Sequence, residues 1–358
     1  VHFRQARPSV LLGSLQRSPF EIFWFVPFQP EFSMSLSRRH FTTALAGTAA
    51  AFATGTAFSQ AGKTLRILVG FPPGGGTDAI ARLLAERLKD ELGMNVIVEN
   101  KAGAGGQLAA QALKASPPDG TTVFLSHDHS ISILPLVTKN AGYDPAQDFV
   151  AVAGFATFVN AFAVSGGTPA KTFTEYVNWV NTVGKGKGSV GVPAPGSVPE
   201  FLVKLIGERY KLDLVAVPYR GSAPLMGDML GNQIASGVAS IPDFIENHRA
   251  GKLRVVGVLG NARQAALPDV PTFSELGLPG FEDVPYYGLF APKGTPQASI
   301  DAIGMAMDKV LKQPALHDAL TKMGLTVGYM PQAQLAAREK AYTQIWTKII
   351  KSRGWAPA

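Results

Sequence analysis

The chain of 358 residues has no cysteine, which excludes disulfides, thiol nucleophiles and zinc–cysteine sites. Charge is sparse too, at 16% of residues, and no Lys/Arg block occurs. Of 33 basic and 26 acidic residues, five and two lie before residue 62. That leaves 28 against 24 from Gly62 onward, a scattered net +4, so nucleic acid is not an expected partner. G-x-S-x-G and H-E-x-x-H are missing, and no lysine follows the glycines of Gly74-Gly75-Gly76-Thr77-Asp78. Serine-elbow, zincin and P-loop chemistry therefore lack their residues. There is no repeat with a period of roughly 20–50 residues and no low-complexity tract. What is present is a 46% hydrophobic composition, enough at this length for two full domains.

The N-terminal part reads as an address. After Met34 come Arg38-Arg39, an alanine-rich and mildly apolar stretch of about 17 residues, and small residues near Ala61. This layout predicts an export signal at 34–61, and Ser37-Arg38-Arg39-His40-Phe41 resembles the twin-arginine type. Cleavage is expected near Ser59 to Ala61. Residues 1–33 precede the expected start and read as a non-native upstream extension. The stretch is short and broken by Thr and Gly, so it suits permanent membrane spanning poorly.

From residue 62 strands and helices alternate, which predicts an α/β architecture. Expected strands are Thr64–Phe71, Asn95–Glu99 and Thr121–Ser126, with a helix through Ile80, Leu84 and Leu88 that Gly93 ends. Residues 150–164 run long and apolar, as a chain passing between two domains would. A second block follows, with helices expected at Val198–Tyr210 and Ser222–Leu230. Residues 286–292 read as the return crossing before a helical tail. Two lobes with a cleft result: 62–163 plus 285–358, and 164–284.

One stretch carries the functional question: "ILVGFPPGGGTDAIARLLAERL", a strand, two prolines, three glycines and a helix. The contiguous glycines do not fit the spaced dinucleotide turn, and Asp78 would repel phosphates. Anion capture fits better. Glycines let backbone N–H groups approach a ligand, and the helix adds unpaired donors and its dipole. Each charge-assisted hydrogen bond to a carboxylate contributes about 1.5–3 kcal/mol, and the dipole about 0.3–1. The plainer alternative is a tight turn with Thr77 or Asp78 as N-cap. The second block repeats the device in "SVGVPAPGSVPEFLVKLIGERY", where Ser197 and Glu200 have capping-box spacing. Two such turns, one per lobe, would clamp a single ligand.

The chain resembles the solute receptors of tripartite tricarboxylate transporters, the Bug or TctC-like periplasmic proteins. Seven stretches carry the likeness in order over about residues 63–356: "FPPGGGTDAIARLLAERL", "VIVENKAGAGGQLAAQALKASPPDGTTVFL", "YDPAQDFVAVAG", "VPYRGSAPLMGDMLGNQI", "RAGKLRVVGV", "ALPDVPTFSELGLPGFE" and "GLFAPKGTP". The resemblance implies a type II, Venus-flytrap binding-protein fold with two parallel-rich mixed sheets flanked by helices. It implies a periplasmic, monomeric, non-enzymatic receptor without cofactors or metal, whose partners are a small organic carboxylate and integral-membrane transporter subunits. The implied ligand contacts are Pro72, Gly74, Gly75, Gly76, Thr77 and Asp78 in the first lobe, with Ser126 and His127. In the second lobe they are Gly196, Ser197 and Tyr219. Leu134, Glu200 and Ala239 stand where the family commonly has Asn, His and Asp, so a ligand with one carboxylate and a less polar remainder is expected.

Rival readings are a periplasmic metal-dependent hydrolase and a ligand-sensing module for a membrane signalling partner. The hydrolase rests on "SHDHS" (Ser126–Ser130), whose two histidines would share one face of a strand but have no obvious third ligand. Trp179 and Trp346 sit on apolar helix stripes and are expected in the core.

Overall fold

The structure, a computed structural model, describes residues 63–355; the expected export signal and upstream stretch lie outside the described residues. Strand β1 (Thr64–Val69) sends Leu65, Ile67 and Val69 into one apolar cluster and Leu68 into another. Successive strand side chains point to opposite faces, so both faces of this sheet need cover. Helix α1 (Gly76–Leu92) covers the first with Ile80, Leu84 and Leu88, and ends at Gly93 in the left-handed region. Helix α2 (Gln107–Lys114) brings Ala109, Ala110 and Leu113 to the second. Each fully buried Leu or Ile contributes about 1.5–3 kcal/mol.

β2 (Asn95–Asn100) and β3 (Thr122–His127) flank β1 in parallel. β4 (Phe149–Thr157) is followed by β5 (Asn160–Ser165), and the second lobe continues as α3 (Phe173–Thr182), β6 (Lys187–Val192) and α4 (Val198–Tyr210). Next come β7 (Asp213–Pro218), α5 (Ser222–Leu230), β8 (Ser236–Ser240), α6 (Ile241–Arg249) and β9 (Leu253–Val258). β10 (Tyr286–Pro292) returns to the first lobe, which ends in α7 (Gln297–Leu311), α8 (Pro314–Lys322), β11 (Thr326–Pro331) and α9 (Gln332–Ser352). The sheets run β11-β4-β10-β3-β1-β2 and β7-β6-β8-β5-β9. Both are mixed: parallel within the αβ units, antiparallel where β10, β11 and β5 cross.

The apolar run 150–164 is two strands in two sheets. Asn160–Val164 pairs with β8, so the chain crosses at Phe158–Val159 and not after residue 163. Unbroken hydrophobicity hides this junction because both strands are buried on both faces. The Phe158 amide donates to the carbonyl of Pro285 at 3.2 Å, which ties the outgoing crossing to the returning one. Among the described residues no helix is long and apolar enough to cross a membrane.

Candidate functional site

Between the two sheets lies a cavity of about 50 Å³, walled by both lobes. An ordered water needs roughly 10–15 Å³ in comparable terms, so the closed space suits a ligand of a few non-hydrogen atoms. Phe71, Thr77, His127, Asp128 and Tyr287 come from the first lobe, and Asn160, Ser197, Ser222, Ser240 and Asp243 from the second. Four helix N-termini reach it: α1 through Thr77, α4 through Ser197–Pro199, α5 through Ser222, and α6 through Ser240 and Asp243. First-turn amides have no partner within their own helix and carry the positive dipole end.

The glycine turn is arranged differently from the expected cradle. Gly74–Gly76 line a neighbouring groove at the lobe boundary and not the cavity wall. Two of their amides are already taken by the protein's own carboxylates. Gly74 donates to Asp78 Oδ2 at 3.0 Å, and Gly76 donates to Asp243 Oδ1 at 2.9 Å from the opposite lobe. A Cβ at Gly76 would sit 2.9 Å from that Asp243 oxygen, so glycine is required for the approach. The N-cap of α1 is Gly75, without a side-chain bond, so neither Thr77 nor Asp78 caps it. Asp78 instead faces Arg82 (2.9 Å) and Asn100 (2.9 Å). Burial alone would raise its carboxyl, but hydrogen bonds from Arg82, Gly74 and Asn100 hold it below the usual range. Pro72 packs against Gly221 of the other lobe.

In the second lobe, Gly196 packs on Val137, and its amide donates to Glu200 Oε2 at 2.7 Å. Ser197 Oγ donates to the Ala194 carbonyl at 2.6 Å and makes no capping bond. Glu200 thus does reach back as a cap partner, but to the amide before Ser197. Tyr219 does not line the cavity; its hydroxyl donates to Asp228 at 2.7 Å. Ser126 is buried beside the wall, with its hydroxyl 3.4 Å from the His127 carbonyl. Of the expected contacts, the fold brings Thr77, His127 and Ser197 to the cavity.

Asp243 is the residue that sequence reasoning missed. Its Oδ1 accepts from Gly76 and from Ser222 Oγ (2.5 Å), and its Oδ2 accepts from the Ser240 hydroxyl (2.6 Å) and amide (3.2 Å). Ser240 and Asp243 form the capping box of α6, a spacing present in the sequence. His127 ends β3, and His129 begins a single π-helical turn, His129–Ile133, so the two do not share a strand face. The His127 ring stacks on Phe71 (5.1 Å) and meets Phe158 and Tyr287 edge-on. Its Nδ1 lies 3.2 Å from Asp128, whose other oxygen accepts from the Tyr342 hydroxyl at 3.0 Å. No lysine or arginine of the described residues lines the cavity. The wall mixes polar side chains with apolar ones from Phe71, Phe158, Pro193, Ala194 and Val198. Asp243, Asn160 and His129 line the wall from positions other than 134, 200 and 239. Among the described residues no group of three His, Cys, Asp or Glu is placed to hold a metal ion.

Residues 80–355 match the family described as the tripartite tricarboxylate transporter family receptor. The periplasmic binding protein BugD is 28% identical, with TM-score 0.77, over 83% of this chain and 99% of its own. The R. palustris protein Rpa4515, solved with adipate, is 27% identical, with TM-score 0.78, over 83% and 99%. MatC from Rhodopseudomonas palustris, with bound malate, is 28% identical, with TM-score 0.74, over 80% and 99%.

Proposed function

The chain belongs to the tripartite tricarboxylate transporter receptor family, and we propose that it is a periplasmic receptor that closes its two lobes over a small carboxylate. It then delivers that ligand to integral-membrane transporter subunits, acting as a monomer and without catalysis. The observation that carries the reading is the cavity walled by both lobes, with helix N-termini from each. The ligand carboxylate is placed between the first turns of α1 and α4, near Thr77 and Ser197–Val198. A handful of bonds to such donors, less the cost of ordering ligand and lobes, supports roughly micromolar affinity. Binding favours the closed state because only that state engages both helix ends. The lobes hinge at the paired crossings, Phe158–Val159 and Val284–Pro285. Export through the N-terminal signal places the receptor where its transporter faces the periplasm. The carboxylates in the two R. palustris structures support the ligand class.

Isothermal titration with propionate, lactate, malate and adipate tests this. Saturable binding of at least one acid near micromolar Kd, with one site per chain, is expected. No saturable binding by any of them would overturn the reading.

A further inference from the structure

In the second lobe's share of the cavity wall, the hydroxyl protons are already spent. Ser197 donates to the Ala194 carbonyl, and Ser222 and Ser240 donate to Asp243. A hydroxyl carries one proton, so these three have none left for a guest. The wall holds no lysine or arginine, and the Asp243 carboxylate accepts from Gly76, Ser222 and Ser240. That leaves Asn160.

Asn160 opens β5, two residues past Phe158 at the crossing. Its backbone is fixed, because it pairs with Ser240 in β8 and its carbonyl accepts from the Leu259 amide at 2.8 Å. The residue is 6% exposed and lines the cavity, yet its side-chain amide has no hydrogen-bond partner among the described residues. Neither amide atom is sealed in the packing, as the two His129 ring nitrogens are. The side chain therefore offers the cavity two uncommitted N–H donors and a carbonyl acceptor. Neither end of the amide is pinned, so either can turn to a ligand, and a carboxylate group presents only acceptors.

We propose that Asn160 is a ligand contact of the second lobe, its side-chain NH₂ donating to an oxygen of the bound acid. This rests on the carboxylate-receptor reading and adds a side-chain grip to the backbone donors of the helix ends. Asn160 moves with β5 and β8, so the bond forms only as the second lobe closes on a ligand held by the first. It thereby adds to the ligand's preference for the closed state.

The test is titration calorimetry of the unaltered protein and of Asn160→Ala with propionate, lactate, malate and adipate, with thermal unfolding of each unliganded protein alongside. Alanine removes the amide without adding bulk to the cavity. Asn160→Ala should weaken the tightest acid about 10-fold or more, as loss of a hydrogen bond to an anion does. The unfolding midpoint should move by less than about 2 °C, because no bond within the protein is lost. Should the variant fail to fold, a crystal structure of the unaltered protein with that acid decides, with Nδ2 expected within about 3.2 Å of a ligand oxygen. Affinity kept within threefold, a fallen midpoint with affinity unchanged, or an Nδ2 more than about 4 Å from every ligand oxygen would overturn the assignment. Absence of saturable binding of every acid by the unaltered protein would overturn the receptor reading itself.

Discussion

The amide of Gly76 donates to Oδ1 of Asp243 across the cleft, at 2.9 Å. The first belongs to a glycine turn whose exposed backbone donors suit a carboxylate, and the second is the protein's own carboxylate filling that role. One lobe thus grips the other by the chemistry expected for the ligand, and Ser222 and Ser240 orient the acid from its own side. The closed arrangement is held by an internal anion at the lobe boundary, beside a cavity lined by first-turn residues of α1 and α4.

Asp243→Ala removes that latch and the capping box of α6 together. The cap change alone costs about 1 kcal/mol, and the charge-assisted bonds raise the total loss of stability to about 2 kcal/mol. Chemical denaturation measures this, and small-angle scattering should show a larger radius of gyration without ligand. An unchanged radius and midpoint would show that the contact does not hold the lobes.

Stability should also depend on His129 in a defined pH window. Burial, then the neighbouring His127, push its pKa from 6.5 down to about 4, against a smaller upward pull from Asp128. The unfolded chain binds this proton below about pH 6.5 while the folded protein resists until about 4. The folded state is therefore favoured above 6.5 and loses ground as pH falls through that interval, by on the order of 3 kcal/mol. Denaturation midpoints from pH 7 to 4 check this, and His129→Gln should flatten the curve. A variant with the same slope would place the acid sensitivity elsewhere.

The second lobe is fastened to the tail at an aromatic stack. Phe201, buried on α4, lies face to face with Trp355 at 4.0 Å and near Trp346 at 5.5 Å. Phe201→Ala should cost about 3 kcal/mol or more, since a cavity forms under two indoles. Tryptophan emission should shift to the red in the folded variant. Emission and stability matching the unaltered protein would mean that the stack contributes little.

Much of the scaffold is legible because its signals are local. The helices Val198–Tyr210 and Ser222–Leu230 coincide with the expected ones, since periodicity, Pro near a first turn and Gly near an end act within a few residues. Residues 286–292, expected as the return crossing, are instead the strand that follows it. The site is less legible because it is assembled from distant segments. Nothing near Gly76 in sequence says that Asp243 will occupy its amide, 167 positions on. The π-helical turn that carries His129 into the cavity has no periodicity of its own, so the two histidines look like neighbours on a strand. The crossing at Phe158 is likewise hidden inside an unbroken apolar run.

The glycine turn still makes a sharp prediction, for a reason different from its amides. Gly75 has an ordinary negative φ of −83°, so a side chain there causes no backbone strain. A Cβ at that position would nonetheless lie 2.9 Å from Ser222 Oγ, on the opposite lobe. That hydroxyl cannot swing aside freely, because it is bonded to Asp243 at 2.5 Å. Gly75→Val therefore obstructs closure and leaves each lobe intact. Binding of the tightest acid should weaken about 10-fold or more, equivalent to about 1.4 kcal/mol, with the unfolding transition of the unliganded protein little changed. Gly74→Ala makes the contrast, because its Cβ would meet nothing within 4 Å, although φ +86° strains the turn. It should lower stability more than affinity, whereas Gly75→Val should do the reverse. Equal effects of the two substitutions on calorimetric Kd would show that the turn acts through its backbone conformation and not through the approach of the lobes.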